Sequence, residues 1–225
     1  MNLSVREAAQ LLSVSEKTIY RWIKQGTLPA YKISESYRFN RAELLDWATS
    51  QRIGVTVDAF SEPESRDLPL PTLSEALKTG GIYYRIEGQS REEVLASAAD
   101  HLRLPEEVDR HHVRRLLINR ELFASTASGD GIAIPRPHSP ALLNLARSNV
   151  TLCFLENPVD FHALDGRPVA MLLIILAANL RAHLHLLSLL GFVLQDQPFR
   201  RVLDRRESRE QIFAALKASE ARIKV

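Results

Sequence analysis

The residues whose types and spacing suit site chemistry lie between Asn119 and Pro140, in the run NRELFASTASGDGIAIPRPHSP. A helical pattern leads to Arg120, a small-residue loop follows, then the short apolar strand GIAIP, and Arg136, Pro137 and His138 stand where that strand must stop. A neutral imidazole is a nucleophile, and two guanidiniums beside it make an anion pocket. A second imidazole, His183, falls in the first turn of a later apolar helix, where backbone N–H groups and the helix dipole favour an anion. His183 shares a helix face with Leu187, Leu190 and Leu194, whereas His185 points the other way. That helix, from Leu180, is apolar nearly all round and is expected to be buried.

The other chemistry-bearing side chains read as structural. Cys153 is the single cysteine and sits in the apolar run NVTLCFLE, so it is a small buried hydrophobe with no disulfide partner in the chain. His162, His111 and His112 read as surface or packing residues. A zinc site from His138, His162 and His183 lacks both an i, i+4 histidine pair and paired cysteines, so no metal and no cofactor are expected.

Composition sets the frame for positioning these groups. With 225 residues and 45% hydrophobic content, the chain can bury a core for one ordinary domain and a small one. A net charge of +2 confines any nucleic-acid role to a local patch. The opening MNLSVREAAQ lacks a signal-peptide apolar stretch, and the run from Val169 to Ala178 falls short of the roughly 18 residues that span a bilayer. A cytoplasmic protein without membrane insertion is therefore expected.

Residues 1–52 form the small unit. Ser4 and Glu7 have capping-box spacing, and Ala8, Leu11 and Leu12 make the apolar stripe of a short helix. Ser13-Val14-Ser15-Glu16 opens a second helix to Gln25, with Gly26 as its left-handed stop. On that helix Ile19, Trp22 and Ile23 face inward, and Lys17, Tyr20, Arg21 and Lys24 face outward. Leu28 to Ile33 and Tyr37 to Phe39 alternate at strand period around Ser34-Glu35-Ser36, which predicts a hairpin wing. Asn40 then caps a helix through Glu43, Leu44, Leu45 and Trp47. A helix presenting Lys17, Thr18, Tyr20, Arg21 and Lys24 fits a major groove, and Lys32 and Arg38 on the wing reach phosphates. From Ala8 to Ala30 the run AAxLLxVSxxTIYRWIxxGxLPA resembles the excisionase-like and MerR-like winged helix-turn-helix domains, which implies DNA as partner.

Residues 53–72, with Pro63, Pro69 and Pro71 and no sustained period, read as a linker. Residues 73–225 alternate helices and strands. A capped helix spans Ser90 to Leu102, and Pro105 is placed at the start of the next, running to about Asn119. The long apolar strands NVTLCFLE and RPVAMLLIILAA require a sheet covered on both faces, and three helices from Leu180, Pro198 and Ser208 finish the chain. The fold expected is an α/β sandwich, a mixed sheet with helices on both faces, preceded by a mostly α winged helix-turn-helix.

The order of Arg120-Glu121, Ser125-Thr126, GDGIAIP, VDFHALDGRPV, AHLHLLSLL and DQPFR is similar to the fructose/mannitol-type enzyme IIA domains of the phosphoenolpyruvate-dependent phosphotransferase system, including the nitrogen-regulatory branch. The resemblance covers residues 73 to about 220. It implies a histidine that takes a phosphoryl group from a phosphocarrier protein, with Arg120 as the family arginine and His183 as the second histidine. The family histidine directly follows GIAIP, and here that position is Arg136. Relatives reading IPHPR carry the two residue types in the opposite order to Arg136 and His138. A guanidinium stays protonated and is no nucleophile, so a surviving phosphoacceptor would be His138, roughly 6 to 7 Å further along an extended chain.

Two functions follow as expectations. One is a bacterial transcriptional regulator whose IIA-like domain senses phosphotransferase phosphorylation or partners, acting on DNA as a homo-oligomer. The other is a phosphohistidine transferase component using His138, with the N-terminal unit as a docking module.

Overall fold

The computed structural model describes residues 2–12, 14–25, 27–33, 36–40, 44, 47, 70–143 and 145–223. The chain divides into two compact units, Met1–Leu68 and Pro69–Val225.

The first unit begins with β1 (Asn2–Leu3) and α1 (Val5–Leu11). The capping box forms as its spacing requires: Ser4 N–H donates to Glu7 Oε2 at 2.7 Å and Glu7 N–H to Ser4 Oγ at 3.3 Å. Helix α2 (Glu16–Lys24) is capped by Ser15, which accepts from Thr18 N–H at 3.2 Å. Strands β2 (Tyr31–Ile33) and β3 (Ser36–Asn40) pair antiparallel, with Lys32 opposite Tyr37. The other edge of β3 pairs with β1, an addition the sequence patterning did not announce. Ala8, Leu12, Ile19, Phe39 and Leu44 make a buried core, and Trp22 meets Trp47 edge-on with centroids 5.1 Å apart. Ser13, the Gly26 stop, the Ser34-Glu35 turn, and Glu43 and Leu45 of the last helix lie outside the described residues.

The second unit is built on a five-stranded sheet in the order β4-β7-β8-β6-β5. These strands are β4 (Gly81–Ile86), β5 (Ala127–Gly129), β6 (Ile132–Ala133), β7 (Asn149–Val159) and β8 (Val169–Leu176). β7 runs antiparallel to β8, and β6 runs parallel to it, with Ile132 opposite Met171. Alternation along β8 explains why both faces are apolar. Met171, Leu173 and Ile175 enter one core, and Leu172, Ile174 and Leu176 enter the other. The first core is closed by α3 (Leu73–Gly80), α6 (Leu180–Val193), α7 (Gln197–Asp204) and α8 (Arg209–Glu220). The second is closed by α4 (Arg91–His101) and α5 (Arg110–Phe123). Cys153 is fully buried in the second core, and burial pushes its thiol up to about 12.

Several expectations shift. Of the linker placed at 53–72, Thr72 caps α3 through a capping box and Leu70 packs on the first core, while residues 53–69 lie outside the described residues. Pro105 does not start a helix: Val108 N–H turns back on Pro105 at 3.1 Å, and Asp109 caps α5 by accepting from His111 N–H at 2.9 Å. A cap beats a proline here because Asp109 satisfies a donor of the first turn. The helix then continues past Asn119 to Phe123, which puts Arg120 in its last turn. The small-residue loop is an antiparallel hairpin of β5 and β6, turning through Asp130 and Gly131 at φ 51° and 74°. Helix α6 buries only one side. Leu184 and Phe192 remain 54% and 49% exposed, because apolar composition supplies no second layer to cover the outer face.

Candidate functional site

The site grows from the end of α5 and the end of β6. Arg120 Nη1 donates to Ala124 O at 2.7 Å, closing the helix C-terminus that its charge also favours. Glu121, 1% exposed, accepts Thr126 N–H at 3.1 and 3.0 Å on its two oxygens and also takes the Thr126 hydroxyl. Thr126 O in turn accepts Ile134 N–H at 3.0 Å, which ties the helix end to the chain leaving β6. That chain is fixed again where Ile175 N–H donates to Pro135 O at 3.0 Å. The next residue is Arg136.

Arg136 is half-buried, and its Nη1 donates to Ile134 O at 2.7 Å. Burial first, and the neighbouring Arg120 charge second, hold its pKa below the ordinary arginine value, with Glu121 opposing them. His183 is 8% exposed and lies one turn into α6, where Asn179 caps the helix. Its pKa falls to about 4, from burial first and from the Arg136 charge second. Arg120, Glu121, Arg136 and His183 therefore act on one another electrostatically, with Arg136 as the shared neighbour. Two guanidiniums brought together against one buried carboxylate favour a further anion, and each offers N–H groups beyond the one bonded to a carbonyl.

The backbone N–H of His183 donates to Asn179 O at 3.0 Å, and that of Ala182 to Asn179 Oδ1 at 2.8 Å. His183 thus contributes its ring to the site, and its amide is used by the helix. Pro137 is buried and His138, at a bend beyond the end of β6, is exposed. Among the described residues no group of three or more His, Cys, Asp or Glu side chains is placed to hold a metal. From the sequence, Glu121 is expected only as part of the Arg120-Glu121 motif, with no role of its own. Its signal is a carboxylate in a helix's last turn followed five residues later by Thr126.

On α2, Ile19 is fully buried while Lys17, Arg21 and Lys24 are exposed and Thr18 is half-buried. Tyr20 is 51% exposed and meets Tyr37 of β3 edge-on, centroids 6.3 Å apart, so the outward face of α2 is braced by the wing. Strand period places Tyr37 on the wing, and only the fold brings its ring against Tyr20. Arg38 is half-buried, and its charge helps to hold the Glu7 carboxyl below the usual range, after the larger effect of the Ser4 hydrogen bonds. The Lys32 side chain lies outside the described residues; its backbone belongs to β2.

The His183 shift has a direct consequence for stability. An unfolded histidine protonates near 6.5, whereas His183 in the fold resists protonation down to about 4. The His183 contribution to stability is fully present above pH 6.5 and is lost as pH falls through the window to 4, by at most about 3 kcal/mol. Unfolding curves of the wild type and His183→Gln between pH 7 and 4 should converge as pH falls; parallel curves would contradict a buried neutral imidazole.

Comparison with known proteins follows the same division. The family model described as "Phosphoenolpyruvate-dependent sugar phosphotransferase system, EIIA 2" matches residues 75–219, and a helix-turn-helix domain model matches residues 3–52. The nitrogen regulatory protein of Escherichia coli (strain K12) is 32% identical over 154 residues, covering 66% of this chain and 91% of that protein. The fructose-specific EIIABC component of Bacillus subtilis (strain 168) is 31% identical over 145 residues, 63% of this chain and 22% of its own length. The crystal structure of the nitrogen regulatory protein IIA-Ntr from Neisseria meningitidis aligns with a TM-score of 0.52 at 29% identity, covering 60% of this chain and 92% of that one. Mannitol IIA from Escherichia coli, at 21% identity and a TM-score of 0.51, shares the fold. Among the described residues no helix is long and apolar enough to cross a membrane. With the EIIA model matching 145 residues and the sheet, its two helical layers and the Arg120 loop in place, the chain belongs to the phosphoenolpyruvate-dependent sugar phosphotransferase system EIIA 2 family, and carries an N-terminal helix-turn-helix domain.

Proposed function

We propose that this chain is a DNA-binding transcriptional regulator whose EIIA-type domain senses the phosphorylation state of phosphotransferase components, or their presence, and that it acts in the cytoplasm. The observation that carries the reading is Arg136. It occupies the position directly after GIAIP, half-buried and close enough to Arg120 and His183 for their charges to act on one another, where a guanidinium binds a phosphoryl group and does not accept one. The curated relatives named nitrogen regulatory proteins support a regulatory role for such a domain. The exposed Lys17, Tyr20, Arg21 and Lys24 support DNA as the partner of the first unit. A small reader of this kind covers few base pairs, so it acts as a homo-oligomer.

The test uses the full-length protein on genomic DNA fragments at low salt. A subset of fragments should be retained, and adding the phosphorylated phosphocarrier in place of the unphosphorylated form should change retention several-fold, an effect lost in Arg136→Ala. Absence of retention, or retention indifferent to the phosphocarrier in both forms, overturns the reading. Acid-labile phosphate mapping to His138 and abolished by His138→Gln would make the domain a transferase.

A further inference from the structure

The loop between β7 and β8, residues 160–168, holds an imidazole that the guanidinium site does not use. Asp160 Oδ1 accepts the backbone N–H of His162 at 2.7 Å, and Asp160 Oδ2 lies 3.1 Å from His162 Nδ1. The first bond closes an Asx-turn and holds His162 at φ 55°, a left-handed conformation that a β-carbon ordinarily disfavours. In the neutral ring the second places the proton on Nδ1, because a carboxylate oxygen accepts and does not donate. With Nδ1–H given to a carboxylate, the ring lone pair is on Nε2, and the adjacent negative charge stabilises positive charge developing on the ring.

The pair is accessible and held. The His162 side chain is 67% exposed, so a partner protein can reach Nε2. Phe161 anchors the loop in the second core, and its carbonyl accepts the Ser125 hydroxyl from the segment that follows Arg120. Further along, Asp130 N–H donates to Asp165 at 2.7 Å and Arg167 Nη1 to Asp130 at 3.0 Å. Gly166 N–H closes the tip on Ala163 O at 2.9 Å. A nucleophile carried on a loop whose backbone is held before a partner arrives needs little reorganisation to react. The Asp160 carboxyl stays below its usual range, from the His162 backbone N–H first, with the Arg91 charge adding to it.

We propose that His162 is a phosphohistidine site, its Nε2 accepting a phosphoryl group from a phosphohistidine-bearing protein, with Asp160 as the positioning residue. This rests on the reading of the domain as one that meets phosphorylated phosphotransferase components. In the step, the Nε2 lone pair forms a P–N bond as the P–N bond to the donor imidazole breaks. The donor ring recovers its lone pair and keeps its own N–H. His162 becomes an N-phosphorylated imidazolium whose Nδ1–H remains bonded to Asp160, so no proton crosses between the proteins and no oxidant or reductant is needed.

The experiment incubates the full-length protein with the phosphocarrier, kept phosphorylated from labelled phosphoenolpyruvate, and maps acid-labile label. Wild type should be labelled at residue 162. His162→Gln should lose at least tenfold of the label, and His138→Gln should keep it. Asp160→Asn should slow transfer about tenfold at saturating phosphocarrier with KM unchanged, a split that a loop defect affecting docking would not give. Small-molecule phosphoramidate as donor should show the same order of variants. An unlabelled wild type, or label that survives His162→Gln, overturns the proposal. DNA retention is read on the same samples. If it still responds to the phosphocarrier without label at 162, the regulator reading stands and this site falls; label at 162 without DNA retention does the reverse.

Discussion

Arg136→His in the full-length protein is expected to create a phosphoacceptor at a position that takes no phosphoryl group in the wild type. The guanidinium there is protonated at any ordinary pH and has no lone pair to offer, whereas a neutral imidazole attacks phosphorus readily. Everything around the position is already set. Pro135 O is held by Ile175 N–H at 3.0 Å, and the Arg120 guanidinium is anchored on Ala124 O at 2.7 Å. His183 is uncharged at neutral pH, with a pKa near 4, so a new imidazole would have a neutral ring and not a second histidine cation in its surroundings. Backbone placement decides the outcome, since an error near 1 Å costs about a hundredfold in a transfer of this kind. The measurement is acid-labile phosphate mapped to position 136, made with His138 and His162 both replaced by glutamine so that no other loop imidazole contributes. Labelling should rise from background to near one phosphate per chain. Background labelling in a folded Arg136→His protein would mean that the family frame around the loop is no longer aligned for transfer. The same substitution removes the Arg136 charge from His183, whose pKa should rise while burial still keeps it below the ordinary value.

The second large effect is on DNA. The double variant Lys17→Ala, Arg21→Ala is expected to weaken binding roughly a hundredfold near 0.1 M salt and to lower the slope of log affinity against log salt by about two. Both side chains are exposed on α2, opposite the fully buried Ile19, so truncating them leaves the small core intact. Tyr20→Phe is a useful contrast. It keeps the edge-on packing against Tyr37 and removes only the hydroxyl, so it should change preference among fragments with little change in salt slope. Equal salt slopes for the wild type and the double variant would remove α2 from the interface.

How much was legible in the sequence depended on the range of the interaction. The Ser4-Glu7 capping box, the Ser15 cap and the inward Ile19 were readable because each involves residues within one helical turn. The two faces of the sheet were readable from the uninterrupted apolar runs of β7 and β8. The start of α5 was missed because Pro105 and Asp109 are both acceptable openings locally, and the one that closes a hydrogen bond took the role. The exposure of Leu184 and Phe192 on α6 was missed for a different reason: composition records how apolar a helix is, and only the neighbours decide how much of it is covered.

The candidate site divides along the same line. By itself the sequence determined the residue types, above all that Arg136 stands directly after GIAIP with His138 two residues on, and that the chain pairs a helix-turn-helix with an EIIA-type domain. Tertiary structure alone decided which of these groups meet. Arg120 belongs to a helix on one side of the sheet and His183 to a helix on the other, and neither spacing nor charge says that both will act on Arg136. The strand order does so, because β6 lies beside β8 and ends where α5 closes and α6 begins. His162 shows the same division at shorter range. Its neighbour Asp160 is plain in the sequence, but the bond that places the ring proton on Nδ1 depends on a left-handed turn that the fold holds in place.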